Sequence, residues 1–177
     1  MKKLLLAAAI VVGGTTVVSE LPGQTVEAQA KEKTMSKSFA NQLKKGTLPD
    51  AKGKVNMKFS TLEKKYKRNP NGSGRAGEFW SYDVEMDYKG VLAESYAFYY
   101  TDTTENSKVA KIMRTYDYLI SEKSVQKHFG KSIKKNIYGS IYKVGKYYML
   151  FSTHTTFSID TDIEIGTKKA IVTMAYK

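Results

Sequence analysis

Cysteine is missing from all 177 residues, which excludes disulfides, thiol nucleophiles, cysteine-held zinc and iron–sulfur clusters. It also excludes a lipoprotein-type lipid anchor, whose attachment point is a cysteine. Histidine is nearly as scarce, and His128 and His154 alone cannot build a three-histidine zinc site. Acid is short: 17 Asp+Glu face 29 Lys+Arg, a formal charge of +12 that makes acidic partners the first place to look. Past the N-terminus there is no second long hydrophobic run and no C-terminal wall-sorting signal. What remains is an ordinary globular composition, 41% hydrophobic and 12% aromatic, of a size for one domain.

Lys2 and Lys3 lead into the apolar run Leu4–Val12, which weakens through Gly13 and Gly14 to Val18. Leu21-Pro22-Gly23 breaks any helix, and Ala28-Gln29-Ala30 offers the small residues a signal peptidase accepts. The run is shorter than the ~20 apolar residues a bilayer span needs. Residues 1–30 therefore read as a secretory signal peptide cleaved after Ala30. Its two lysines are balanced by Glu20 and Glu27, so residues 31–177 keep the whole positive charge. The expected product is a secreted, extracellular monomer without stable membrane insertion, released or held at a cell surface by charge alone.

Met35, Phe39 and Leu43 recur every fourth residue and Gly46 follows, which predicts an amphipathic helix over 35–45. Ser60-Thr-Leu-Glu63 spells a capping box for a second helix with Leu62 and Tyr66 on one face. Pro70, Asn71, Gly72, Gly74 and Gly77 mark a loop. Trp80, Tyr82, Val84, Met86 and Tyr88 then alternate with Ser81, Asp83, Glu85 and Asp87, a strand with its acids toward water. Leu92–Tyr100 and Val109–Tyr116 extend this into a meander around the polar loop Thr101–Ser107.

The order then repeats. Ser121 opens a helix carrying Val125 and Phe129, Gly130 ends it, and Ile141-Tyr142, Tyr147–Phe151, Ile159–Ile165 and Ala170–Tyr176 supply strands. Lys108, Ala110, Ile112 and Tyr116 match Lys168, Ala170, Val172 and Tyr176, which suggests an internal duplication. The expected class is α+β: tandem helix-plus-antiparallel-sheet units, about 47–118 and 119–177, after a short N-terminal helix, in one compact domain over 36–177. Trp80, Tyr82, Val84, Met86, Phe98, Ile112, Val125, Phe129 and Phe151 form the expected core.

Catalytic constellations are hard to find. Ser124-Lys127, Ser132-Lys135 and Ser140-Lys143 have the spacing of acylating serine enzymes, but the partner motifs are absent and lysine density makes chance matches expected. The strand acids Asp83, Glu85 and Asp87, and likewise Asp160, Asp162 and Glu164, offer oxygen ligands for a divalent cation, or simply a solvated strand face. A solvated strand face is the expectation for both groups. Neither histidine has a nearby Cys, His or Glu at ligand spacing, and Gly72, Gly74 and Gly77 precede a strand instead of a phosphate-binding helix. The expectation is a binding protein, not an enzyme, with no metal and no cofactor.

Charge, by contrast, is concentrated. Residues 31–68 hold twelve basic and three acidic side chains, and 123–146 hold seven lysines and no acid, while the strands between are acidic on balance. Solubilising charge is normally mixed in sign. Lys123, Lys127, Lys131 and Lys134 are spaced four, four and three and would line one side of a helix continued past Gly130; Lys135 adjoins them. Lys64, Lys65, Lys67 and Arg68 form a second basic patch, and Tyr138, Tyr142, Tyr147 and Tyr148 near the first could stack on bases.

The run Ile120-Ser-Glu-Lys-Ser-Val-Gln-Lys-His-Phe-Gly-Lys-Ser-Ile-Lys-Lys135 resembles the immunodominant staphylococcal antigen B family at Ile120, Ser121, Lys123, Gln126, Lys127, Gly130, Lys131, Lys134 and Lys135, with an aromatic at Phe129. The tyrosine-rich strand after it and the ending Ala175-Tyr176-Lys177 also look similar, so the likeness covers about 120–177 and is loose over 39–119. It implies a secreted antigen that binds extracellular nucleic acid. The doubled layout also resembles the beta-lactamase inhibitor protein architecture. Together these readings point to sequence-nonspecific binding of extracellular DNA, RNA or another polyanion at a host or biofilm interface. The alternative is a secreted inhibitor or host-factor-binding immune-evasion protein.

Overall fold

Period-two alternation builds the larger share of the regular structure in this chain. The computed structural model describes residues 32–66, 69, 73–85, 88–100, 106–156 and 158–174. Residues 1–31, Lys67, Arg68, Met86, Asp87 and 175–177 lie outside the described residues. Helix α1 (Lys37–Lys44) and helix α2 (Phe59–Glu63) precede strands β1 (Gly74–Ala76), β2 (Phe79–Asp83), β3 (Val91–Tyr99) and β4 (Lys111–Tyr116). Helix α3 (Glu122–Phe129) then precedes β5 (Lys134–Asn136), β6 (Gly139–Val144), β7 (Tyr147–His154) and β8 (Asp160–Gly166). Among the described residues, eight strands form one antiparallel sheet in the order β1-β2-β3-β4-β8-β7-β6-β5. It consists of two meanders, each following a helix and joined along β4 and β8. The chain is thus predominantly antiparallel β with a few short helices, broadly compatible with an α+β class.

One sheet face carries the core. Tyr82, Tyr96, Phe98 and Ile112 from the first meander and Tyr142, Met149, Phe151, Ile163 and Ile165 from the second are buried on it. The helices close that face with Leu43 of α1, Leu62 of α2 and Val125 of α3, all fully buried. Each large apolar side chain so covered contributes about 1.5–3 kcal/mol. Trp80 and Phe129, expected in the core, are half-buried at its rim; Trp80 packs edge-on to Phe59 at 5.5 Å.

Several local expectations need correction. Ser60 does not cap α2: Lys58 is the N-cap, without a side-chain bond, and Ser60 lies within the helix. Strand β2 ends at Asp83, paired with β3 from Tyr99 back to Ser95, and Val84 still donates to the Glu94 carbonyl at 3.2 Å; Met86 and Asp87, further along the expected strand, lie outside the described residues. The described part of the expected strand Ala170–Tyr176 is not a strand; Lys169–Met174 is a π-helical turn. The reason is topological, since the place beside β4 is already filled by β8, with Ile112 opposite Ile165. Thr167 then turns the chain, its hydroxyl accepting from the Ala170 amide and its carbonyl from that of Ile171. Ala170 and Ile171 are buried against the outer sheet face, on Ala97 and Ala110 and on Ile141 and Leu150. The partner of β4 in the repeated layout is therefore β8, not the 168–176 segment.

Beneath α1 and α2 the core holds a buried ion pair. Glu94 and Arg114 face each other across β3 and β4, each 3% exposed. Arg114 donates to Glu94 Oε2 through Nε (2.7 Å) and Nη2, and through Nη1 to the Pro49 carbonyl. The Tyr66 and Tyr96 hydroxyls donate to Glu94 Oε1 at 2.8 and 2.6 Å, and themselves accept from the Lys52 and Gly53 amides. The loop after α1 is thus stitched to the sheet by a network in which every charge has a partner, as burial requires.

Burial, followed by the Glu94 charge, pushes the Tyr96 hydroxyl far above its usual pKa of 10. Burial does the same to Tyr66 and Tyr116, and it pushes Tyr142, bonded to Glu122, up to about 12. Because these folded-state values are raised, the associated stability is complete below the unfolded value near 10 and is lost as pH rises through the folded values. Alkaline titration should therefore show these tyrosines ionising late and together with unfolding. Tyrosinate absorbance followed beside far-ultraviolet circular dichroism checks this; ionisation of all tyrosines near pH 10 in a folded protein would contradict it.

Candidate functional site

The lysines of the basic run are exposed, but the structure regroups them. Lys123 and Lys127 lie on α3, which ends at Gly130 in a left-handed backbone (φ 76°) that breaks the helix. The stripe expected over Lys123, Lys127, Lys131 and Lys134 therefore does not form. Lys131 follows in the loop, and Lys134 and Lys135 are neighbours on β5, opposite Ile141 and Ser140, so they point to opposite sheet faces. Lys135 turns back toward α3, its ammonium 4.0 Å from Glu122. In the other patch Lys64 is exposed and Lys65 donates to the Lys52 carbonyl at 3.2 Å; Lys67 and Arg68 lie outside the described residues.

What joins α3 instead is α1, a neighbour the sequence did not announce. The chain entering α1 runs along α3: the Met35 amide donates to Ser124 Oγ at 2.9 Å, and the Met35 carbonyl lies 2.9 Å from His128 Nε2. At the far end the Lys44 ammonium lies 5.9 Å from the centre of the Phe129 ring. Lys37, Lys44 and Lys45 are exposed on α1 and its C-cap, and α1 contains no acid. Glu122, the acid of α3, accepts from the Ser140 and Tyr142 hydroxyls at 2.8 and 2.9 Å. The Ser140 hydroxyl, with Tyr142 and Lys135, holds the Glu122 carboxyl below its usual range.

The Ser-x-x-Lys pairs are differently employed. Ser124 is buried and its hydroxyl donates to the Ser121 carbonyl at 2.7 Å. Ser140 and Lys143 fall on opposite faces of β6, three residues apart on a strand.

The outer sheet face carries a groove of about 610 Å³, floored by β4, β8 and β7 and walled by the β5–β6 hairpin. Polar pairs cross its floor. Lys111 and Glu164 meet at 2.7 Å, and Thr115 donates to Asp162 Oδ1 at 2.6 Å. At one end His154 Nε2 lies 3.1 Å from Asp162 Oδ2 and 4.0 Å from Asp160 Oδ1. Cross-strand pairing sets His154 opposite Asp160, a meeting that sequence spacing could reveal only with the β7–β8 register in hand. The acids Asp160, Asp162 and Glu164 are thus not a plain solvated strand face: two are partnered, and Asp160 is buried.

No family model matches the chain, and no curated protein matches it. A solved structure, that of a DUF4309 family protein (YjgB) from Bacillus subtilis, is similar at 17% identity, covering 73% of this chain and 93% of that one with a TM-score of 0.48.

Proposed function

We propose that the protein is a secreted, non-enzymatic binder of extracellular polyanions that holds DNA or RNA without sequence preference on its α1–α3 side. One observation carries this reading: Met35, at the entry to α1, bonds Ser124 of α3, Lys44 lies near Phe129, Lys37, Lys44, Lys45, Lys123 and Lys127 are each exposed on these two helices and the α1 C-cap, and the acid of α3 is already engaged. Lysine arrays bind polyphosphate by releasing condensed counterions, and phosphate contacts read no base identity. The resemblance of 120–177 to the staphylococcal antigen family favours the same ligand class.

A second reading, docking on a host protein or an enzyme, has its own support. Ile137 is 93% exposed and Tyr138 55% exposed at the β5–β6 tip, the kind of apolar anchor that dominates protein interfaces.

Fluorescence anisotropy with labelled random-sequence DNA and RNA separates the two readings. Expected is binding at low salt, indifferent to sequence, displaced by heparin, and about a hundredfold weaker at 200 than at 50 mM salt if about four phosphates are contacted. Absence of binding to both nucleic acids at low salt overturns the proposal. A stoichiometric protein partner that survives nuclease treatment, and is lost on Tyr138→Ser, moves the assignment to the hairpin tip.

A further inference from the structure

We propose that His154, Asp160 and Asp162 form a binding site for a divalent transition-metal cation of the zinc class, at the end of the outer groove. The three side chains project from the same sheet face, His154 and Asp160 as direct cross-strand partners and Asp162 two residues further along β8. Their nearest donor atoms, one imidazole nitrogen and two carboxylate oxygens, all lie within 4.8 Å of one another. Ligands held at roughly 2.1 Å from one ion are spaced by about 3.0–3.4 Å. His154 Nε2 and Asp162 Oδ2 already stand at 3.1 Å, and Asp160 Oδ1 stands 4.0 Å from the imidazole, so closing the set onto one ion asks for a small side-chain adjustment of Asp160.

A cluster of this kind is often only a salt-bridged surface. Asp160 argues otherwise. The residue is 8% exposed, and its Oδ1 is sealed from solvent yet accepts no hydrogen bond. A carboxylate oxygen buried without a donor is costly, and it is aimed at the other two ligands. A cation at their centre would remove the cost. Thr115 supports the site from outside, its hydroxyl holding Asp162 Oδ1 at 2.6 Å so that Oδ2 faces the imidazole. His154 and Asp162 are half exposed, which gives an ion a path in and leaves further coordination positions open toward the groove. The imidazole in the set selects zinc-class ions over magnesium and calcium, which prefer all-oxygen shells.

The proposal is independent of the lysine surface and is tested with tag-free, chelator-stripped protein. Calorimetric titration with zinc chloride should show one saturable equivalent, and melting temperature should rise with zinc and not with magnesium. His154→Ala and Asp160→Asn should each weaken binding at least tenfold, and Thr115→Val by about 10–100-fold. His128→Gln should bind as the parent does. Without metal, Asp160→Asn should melt at or above the parent temperature, because it removes a buried charge whose Oδ1 accepts no hydrogen bond. A merely structural His154–Asp160 pair gives the opposite result, a lower melting temperature without metal, and that outcome overturns the proposal. So does the absence of a saturable equivalent, or zinc binding untouched by both ligand substitutions.

Discussion

Arg114→Met should destabilise the protein by about 3–5 kcal/mol, because it leaves the Glu94 carboxylate buried beneath the helices without its cation. Against a total stability of about 5–15 kcal/mol, that is enough to shift the urea midpoint by a large fraction of its value. The Pro49 carbonyl loses its donor in the same step, so the loop between α1 and α2 should loosen first. The double substitution Glu94→Leu with Arg114→Met should recover most of the loss, since the charge that needed a partner is gone. Incomplete recovery is expected from the Tyr66 and Tyr96 hydroxyls, which then lose their shared acceptor. A single-variant loss below about 1 kcal/mol would show that the network does not hold this face together.

Lys45, Lys123 and Lys127 replaced together by glutamine should make the slope of log affinity against log salt shallower by about 2–3 if each meets one phosphate of duplex DNA. All three side chains are exposed, so the fold should be unaffected. Lys134→Gln, on the other side of the sheet edge, should change the slope by less than about 0.5. This contrast separates a located surface from net charge, since a protein held by net charge alone would respond to the lysines in proportion to their number. An unchanged slope in a folded triple variant removes the α1–α3 surface as the binding site.

Local periodicity made much of the fold legible. Leu43, Leu62 and Val125 announced their helices through spacing and flanking breakers, and Gly130 marked the end of α3 with the backbone only glycine adopts readily. The alternation around Tyr82 likewise announced a strand. Where partners are fixed by register across the sheet, the sequence was mute. Ala170–Tyr176 is an apolar, partly β-branched run that reads as a strand, yet the slot beside β4 belongs to β8. Glu94 sits in a run of aromatic and small residues, and nothing local says that Arg114, twenty residues on, will face it.

The candidate sites follow the same logic. The α3 lysines were readable, but extending their stripe past Gly130 carried a helical period through a residue that stops helices. The contribution of α1 depends on a contact between Met35 and Ser124, eighty-nine residues apart. His154, Asp160 and Asp162 meet because a hairpin folds β7 onto β8, and only the register brings the imidazole opposite Asp160.

Lysine footprinting by amine acetylation, read by mass spectrometry with and without a random-sequence DNA duplex at low salt, tests the proposed polyanion surface most directly. Every lysine involved is exposed in the free protein and is therefore reactive there. The account expects protection of Lys37, Lys44, Lys45, Lys123 and Lys127, with Lys134 and Lys168 modified as before. Protection centred on Lys134 and the outer groove, or no protection at saturating DNA, would contradict it.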